Sequence, residues 1–240
     1  MTDIRTRNGG QLLMDSLVAL GATRGFGVPG ESYLAVLDAM VDHANAFDLV
    51  LCRQEGGAAY MAAAWGKLTG EPGLCFVTRG PGATNATVGI HTAMQDSVPM
   101  ILFVGQVGTD VMGREAFQEV DYTAFFGPLA KWAVQIDHVD RVPEIISRAW
   151  TVAMSGRPGP VVVALPEDML VATSDRLPCN PVAIPEPAVP EAGAAQIAAM
   201  LGAAERPVML VGGTRWTACS ARALESFSAV NDVPLSLIHI

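Results

Sequence analysis

The chain has 240 residues, enough for one sizeable core with residues to spare; half of them are hydrophobic and only 16% are charged. A formal net charge of −9 argues against a surface that binds nucleic acid or anionic membranes. Because the sequence contains neither an apolar run of membrane-spanning length nor the apolar core of a signal peptide near Met1, we expect a cytoplasmic protein.

The cysteines are scattered and form no Cys-x-x-Cys pair. This spacing favours neither a metal site nor a disulfide framework. They are Cys52, Cys75, Cys179 and Cys219.

Strands and helices alternate over residues 9–166, which we predict to form the first domain. The patterns predict helices over 10–21, from Glu31 or Ser32 onward, over 55–68, 83–94 and near 140–154. They predict strands over 25–28, 48–53, 73–78, 100–105, near 131–136 and over 161–165. Nearly continuous apolar strands between helices indicate an α/β fold, a doubly wound and mostly parallel sheet with helices on both faces. Ligands of such sheets bind at the carboxyl ends of the strands.

Prolines dominate the next segment, residues 167–190, which we therefore expect to be an extended linker. Residues 191–240 then predict a helix, a strand over 208–211 and a second helix over 216–230, the truncated start of a second α/β domain. The expectation is that the chain is a fragment or that a partner chain completes this domain.

Glu55 is a carboxylate at the junction between an apolar strand and a helix of small residues. An ionised carboxylate is costly to bury without a partner, so an acid kept in such a place often serves proton chemistry. A glutamate at this position also satisfies free N–H groups and the dipole at a helix start. The residues alone leave both interpretations open.

Glycine-rich turns follow three of the predicted strands, at Val28-Pro29-Gly30, at Arg53–Gly57 and at Thr78–Asn85. They predict a flat, preformed surface that a ligand can approach closely, although α/β proteins also need tight turns for their own sake. Gly25-Phe-Gly27-Val-Pro-Gly30 matches the dinucleotide fingerprint G-x-G-x-x-G, but a helix precedes it and its first glycines fall inside the strand. A dehydrogenase, which NAD titration would test, therefore remains a distant alternative.

Ordered motifs from residue 9 to residue 166 resemble the N-terminal, pyrimidine-binding domain of thiamine-diphosphate enzymes of the acetolactate synthase and pyruvate oxidase group. Any single motif would be weak, but their order makes the resemblance specific. The motifs are Gly27-Val28-Pro29-Gly30, Arg53–Ala58, Gly80–Asn85, Asp96–Met100, Gly105-Gln106-Val107, Phe117–Asp121 and Gly156–Val161.

The resemblance implies a role for each matching residue. Glu55 would hydrogen-bond N1′ of the aminopyrimidine of thiamine diphosphate and control its proton, while Phe117 and Gln118 would form a loop that points at the reacting substrate. Gln106 would lie near the cofactor or a flavin edge. The cleft around the pyrimidine would be lined by Val28, Pro29, Gly30, Thr78, Pro81, Gly82 and Asn85.

The resemblance also implies cofactors and partners. The family binds the diphosphate and Mg²⁺ through a Gly-Asp-Gly motif of a C-terminal domain, which this sequence lacks. We therefore expect the 240 residues alone to contain no metal ligands, to bind thiamine diphosphate weakly and to have no turnover. Val211–Thr214 resembles the first glycine turn of a central domain that holds FAD in some members, so flavin binding stays open. The implied substrate is a 2-keto acid such as pyruvate, and the implied assembly is a homodimer or homotetramer.

Two positions depart from the pattern of the family. Arg79 occupies a place where acetolactate synthases carry a small residue, and Glu31-Ser32 also replaces small residues. A cation at position 79 would either favour an anionic substrate or form a salt bridge at the surface.

Alternatives to an acetolactate-synthase-like carboligase therefore remain. Within the family these are another 2-keto-acid decarboxylase, an oxidase or an aldehyde lyase. A different class is a non-catalytic binding or assembly module, which pairs with a separately encoded diphosphate domain or dimerises through its small-residue helices.

Overall fold

A computed structural model describes residues 6–237, so expectations about the N-terminus at residues 1–5 and about the strand end at residues 238–240 lie outside the described residues. Contacts within the chain separate two units, one up to Ile184 and the other from Pro185 onward. Each unit is considered by itself below.

A parallel sheet forms the centre of the first unit, with the order β3-β2-β4-β5-β7-β6 among the described residues. Every neighbouring pair in this sheet is parallel, which confirms the predicted α/β fold class. The six strands are β2 (Arg24–Gly27), β3 (Asp48–Leu51), β4 (Gly73–Val77), β5 (Met100–Gln106), β6 (Trp132–Gln135) and β7 (Pro160–Pro166), and a short β1 (Arg7–Asn8) lies outside it.

Helices cover both faces of this sheet because successive side chains of its strands point to opposite sides. Leu74 and Phe76 of β4 pack into one apolar cluster with α1, α2 and α6, whereas Cys75 and Val77 pack into another with α3, α4 and α5. The helices of this unit are α1 (Gly9–Ala19), α2 (Leu34–Asp42), α3 (Glu55–Thr69), α4 (Pro81–Gln95), α5 (Tyr122–Phe126), α6 (Val142–Met154) and α7 (Glu167–Val171). Short 3₁₀ turns precede α2 and α6.

Small residues let α3 and α4 pack directly against each other. The Gln54 side chain begins α3 by accepting a hydrogen bond from Gly57 N at 2.7 Å, and α4 begins with Pro81 at its first turn. The fully buried alanines of the two helices include Ala58, Ala59, Ala62, Ala83, Ala86 and Ala93. The first turns of α3 and α4 therefore lie side by side.

The proline-rich segment 167–190 differs from an extended linker at its beginning. It opens with α7 and with β8 (Thr173–Ser174), which pairs antiparallel with β1. Met169 and Leu170 are buried in the apolar cluster of α1 and α6, and this burial holds the short helix against the sheet. Regular structure is absent only over residues 175–190.

The second unit follows the predicted order of elements, with α8 (Glu191–Ala203), β9 (Met209–Val211), α9 (Ala218–Asn231) and β10 (Leu235–Leu237). Strands β9 and β10 pair in parallel, and neither helix of this unit has a buried residue. Among residues 6–237, no helix has both the length and the apolar character needed to cross a membrane.

Candidate active site

The turns after β2, β3 and β4 converge because these parallel strands are neighbours and end at the same edge of the sheet. Backbone hydrogen bonds continue beyond the strands: Cys52 N donates to Gly27 O at 2.8 Å, and Val28 N donates to Phe76 O at 3.2 Å. The residues predicted to line a cofactor cleft lie in or just beyond these turns.

Glu55 is half-buried in the first turn of α3. Its carboxylate accepts a hydrogen bond from a side chain of the neighbouring helix α4. Asn85 Nδ2, in the first turns of α4, donates to Glu55 Oε2 at 3.0 Å. The other carboxylate oxygen lies toward Gly82, where an added Cβ would be 3.6 Å from Oε1. One oxygen of the carboxylate is therefore held by Asn85, while the other lies next to a glycine whose missing side chain leaves space beside it.

Thr78 joins the turn after β2 to the start of α4. An added Cβ on Gly30 would lie 2.5 Å from the Thr78 Cβ, and one on Gly82 would lie 2.9 Å from the Thr78 methyl carbon. Pro29 and Pro81 flank these glycines and are exposed. Six of the predicted cleft residues thus lie together with Glu55 in one rim, which consists of Pro29, Gly30, Glu55, Thr78, Pro81, Gly82 and Asn85.

Tyr33 supports this rim from below and was not predicted from the sequence. Its buried hydroxyl donates a 2.6 Å hydrogen bond to Val28 O, which holds the turn after β2. Burial raises the pKa of the Tyr33 hydroxyl well above its usual range, so the hydroxyl stays protonated and remains a donor. A tyrosine one turn after Pro-Gly could have suggested such a support.

The Phe117–Gln118 loop contacts the glycine turn before α4. An added Cβ on Gly80 would lie 2.7 Å from the Gln118 Cβ, and Gly80 N donates to Tyr122 Oη at 2.7 Å. Gln118 has a left-handed backbone with φ of 64°, and the Phe117 side chain is 74% exposed. The two predicted loop residues therefore lie beside the rim, with the Phe117 ring on the outside.

Gln106 ends β5 and is only 3% exposed. Its Nε2 donates to Val120 O at 2.8 Å, and its Oε1 accepts from Val107 N at 3.0 Å. Within the described chain its amide thus holds the end of the 117–120 loop. Its contact with a cofactor or flavin stays a prediction.

Arg79 and Glu31-Ser32, the two departures from the family pattern, contact each other. The Arg79 guanidinium is buried, forms an ion pair with Glu31 at 2.9 Å and another with Glu167 of α7. Ser32 Oγ accepts from Arg79 N at 3.3 Å and shares a 2.8 Å hydrogen bond with Thr78 Oγ1. Arg79 is thus a buried guanidinium paired with two partly exposed carboxylates, which agrees with the salt-bridge alternative that the sequence left open.

Glu167 and Tyr122 also escaped the sequence analysis, for different reasons. Glu167 stands in the segment expected to be a linker, and Tyr122 follows an aspartate that begins the short helix α5. Burial raises the pKa of the Tyr122 hydroxyl. An aspartate is a preferred N-cap residue, so Asp121 is the local signal that could have indicated a helix there.

The rim provides an acid, an amide and two glycine turns, and its contact with an aminopyrimidine ring stays a prediction. A half-buried carboxylate, an exposed amide and two proline–glycine turns provide one acid and a flat surface. Among residues 6–237, no group of three or more histidine, cysteine or acidic side chains could hold a metal ion.

Comparison with known proteins agrees with this geometry. Residues 7–125 match the family described as "Thiamine pyrophosphate enzyme, N-terminal TPP binding domain". The chain is 37% identical over 227 residues to the acetolactate synthase isozyme 2 large subunit of Escherichia coli K12, covering 95% of this chain and 41% of that protein. It is 34% identical over 244 residues to the mitochondrial acetolactate synthase catalytic subunit of Aspergillus candidus, covering 96% of this chain and 35% of that protein.

A further relative is the acetolactate synthase isozyme 3 large subunit of the same Escherichia coli strain. Identity is 37% over 232 residues, which cover 93% of this chain and 40% of that protein. The chain thus spans less than half the length of the curated relatives that it matches.

Proposed function

We propose, since the chain belongs to the thiamine-pyrophosphate enzymes of the acetolactate synthase group and carries their N-terminal domain, that it supplies the pyrimidine half of a carboligase site. The proposed reaction joins 2-keto acids such as pyruvate in the manner of an acetolactate synthase. The single observation that carries the proposal is the Glu55–Asn85 hydrogen bond between the first turns of α3 and α4.

Glu55 is the proposed catalytic acid and base. When bound, thiamine diphosphate supplies the electron sink for breaking and making bonds next to a keto group. Glu55 would share one proton with N1′ of the aminopyrimidine, with the carboxyl group donating when it holds the proton and accepting when the ring nitrogen holds it. Asn85 orients the carboxylate by donating a hydrogen bond to Oε2.

The remaining rim residues are proposed to orient the ring and the substrate. Val28, Pro29 and Gly30 form one wall, and Thr78, Pro81 and Gly82 form the other, with glycines that leave room for a flat ring. Phe117 and Gln118 face the reacting substrate from the neighbouring loop, and Gln106 supports that loop through Val120.

Mg²⁺ and the diphosphate belong to the proposal but not to the described residues, which hold no candidate metal cluster. We expect residues 1–240 alone to bind thiamine diphosphate weakly and to have no turnover. Measurable decarboxylation of pyruvate by these 240 residues would contradict this expectation. Flavin binding and a cytoplasmic location stay predictions.

A homodimer or homotetramer is the proposed assembly. Tyr60, Met61 and Val88 on α3 and α4 are large apolar side chains about half exposed, which supports contact with another chain near the rim. Light scattering of the protein that the gene encodes would measure its mass, and a monomer would contradict this part of the proposal.

Replacing Glu55 with glutamine tests the proposed function in the protein as its gene encodes it. Glu55→Gln keeps the shape of the side chain and a possible bond to Asn85 but removes the proton-exchanging group. We expect acetolactate formation from pyruvate to fall by about 10²–10⁴-fold, the usual contribution of a positioned acid or base.

Glu71→Gln is the matched control, because Glu71 is exposed beyond the end of α3. Its activity should remain at the wild-type level. Wild-type turnover in Glu55→Gln would refute the role of Glu55. Acetaldehyde without acetolactate would instead identify a decarboxylase of the same family.

A further inference from the structure

Arg79 connects three segments of the chain that are far apart in sequence. Its guanidinium uses a different nitrogen for each: Nε donates to Phe117 O at 3.2 Å, one terminal nitrogen pairs with Glu31 at 2.9 Å, and the other pairs with Glu167. The residue as a whole is 8% exposed. A planar group with donors in fixed directions suits this arrangement, and a lysine ammonium does not reproduce it.

The charges around Arg79 make it a poor binding group for an anionic substrate. Two carboxylates face one guanidinium, so the cluster carries a formal charge of −1 (+1 from Arg79 and −2 from Glu31 and Glu167). Both carboxylates are more exposed than the guanidinium, with side-chain exposures of 67% for Glu31 and 44% for Glu167 against 10% for Arg79. An incoming carboxylate would therefore meet negative charge first.

The segment that Arg79 holds requires support from its surroundings. Gln118 has φ of 64°, a left-handed conformation that non-glycine residues keep only where neighbouring contacts fix it. Two side chains hold the loop by donating to its carbonyl groups: Arg79, just beyond β4, donates to Phe117 O, and Gln106, the last residue of β5, donates to Val120 O. The loop is therefore held on both sides of Gln118.

We propose that Arg79, balanced by Glu31 and Glu167, is a positioning residue that fixes the Phe117–Gln118 loop against the Gly80 turn and does not bind the carboxylate of the substrate. Its importance for turnover rests on the proposed function, in which this loop faces the substrate. The placement of the loop itself is a property of the described residues.

Hydrogen exchange followed by mass spectrometry tests the placement on the 240-residue chain. The segment 113–120 contains protected amides, because Gly113 N and Ala116 N donate to the Glu119 carboxylate and Glu119 N donates to Ala116 O. In Arg79→Lys the bond to Phe117 O and the paired geometry are lost. We expect exchange over 113–120 to become about tenfold faster, as for the loss of a charge-assisted hydrogen bond.

Arg141→Lys is the matched control, since Arg141 forms an exposed pair with Glu144 at the start of α6. It should leave exchange over 113–120 unchanged, and strands β4 and β5 should exchange as in wild type in both variants. Unchanged exchange over 113–120 in Arg79→Lys would overturn the proposal. An equal increase in β4 and β5 would overturn it too, because the effect would then be general unfolding.

Kinetics of the protein that the gene encodes provide the second readout. A positioning role predicts that Arg79→Lys lowers kcat at least about tenfold while KM for the 2-keto acid changes less than threefold. A tenfold rise in KM at unchanged kcat would show that Arg79 binds the substrate and would overturn the proposal. A protein that binds no thiamine diphosphate would refute the proposed function while leaving the exchange result to decide the positioning role.

Discussion

Gly80 is the position where a single methyl group should disturb the candidate site most clearly. Its backbone has φ of 59° and ψ of −113°, a combination that a residue with a Cβ adopts only under strain. A Cβ there would also lie 2.7 Å from the Gln118 Cβ and 3.1 Å from Gln118 O. Gly80→Ala therefore combines backbone strain with a collision against the Phe117–Gln118 loop.

The expected loss of stability follows from these two effects. Forcing a sparsely populated backbone conformation costs about 1–3 kcal/mol. Inserting a methyl group where atoms already touch costs about 1–3 kcal/mol more. Gly80→Ala should thus lower the free energy of unfolding by about 2–6 kcal/mol, a large part of the stability of an ordinary domain.

Urea unfolding followed by tryptophan fluorescence measures this loss, since Trp65, Trp132 and Trp150 all lie in the first unit. Gly70→Ala is the matched control. Gly70 ends α3 with φ of 76°, but an added Cβ would meet no atom within 4 Å, so only the left-handed cost of about 1–2 kcal/mol applies. Equal losses in the two variants would refute the inference that the loop presses against Gly80.

The neighbouring Tyr122 and Asp121 give two more predictions. Tyr122→Phe removes the buried acceptor of Gly80 N and should lower the free energy of unfolding in urea by about 1–3 kcal/mol. The control Tyr60→Phe changes a half-exposed ring and should lower it far less. Equal urea midpoints for the two variants would contradict this prediction. Hydrogen bonds from Thr123 and then from Ala124 N lower the pKa of Asp121 from its ordinary value of 3.8, so its stabilising contribution is present above that pH and is lost as pH falls through the lower folded value. Asp121→Ala should therefore cost about 1 kcal/mol at pH 7 and progressively less below pH 3.8, and a pH-independent cost would contradict this origin.

The sheet could be predicted from the sequence because its central strands are buried on both faces. Such strands appear as uninterrupted apolar runs, and the run predicted over 73–78 became β4 at Gly73–Val77. The run predicted over 100–105 became β5 at Met100–Gln106, one residue longer. Local composition was sufficient here because every residue of β4 and β5 is buried, so the length of the apolar run is the length of the strand.

The segment after β7 could not be predicted in the same way. Prolines from Pro166 onward indicated an extended chain, yet α7 begins directly after Pro166 and β8 pairs with β1 more than 160 residues earlier. What holds α7 is the burial of Met169 and Leu170 against α1 and α6, a contact between distant residues. A local count of prolines carries no information about such docking.

The position of Glu55 was visible in its neighbours, but its partner was not. The apolar strand before it and the small residues after it predicted a helix start at the sheet edge, and the structure has Glu55 as the first residue of α3. Asn85 lies 30 residues away, and only the side-by-side packing of α3 and α4 brings its amide to the carboxylate. The sequence predicted both residues for the site through the family resemblance, not through their contact.

Arg79 shows why unusual residues should be interpreted together. Taken singly, an arginine in place of a small residue left both an anion-binding role and a surface salt bridge open, and Glu31 was only a second departure from the family pattern. Because Glu31 lies 48 residues and Glu167 lies 88 residues from Arg79, their pairing follows only from the packing of α7 and the turn before α2 at the same sheet edge. A small residue at position 79 alone would leave two carboxylates facing each other without a cation and Phe117 O without its donor. Arg79, Glu31 and Glu167 therefore depend on one another, and the effect of changing any one of them follows from its contacts with the other two.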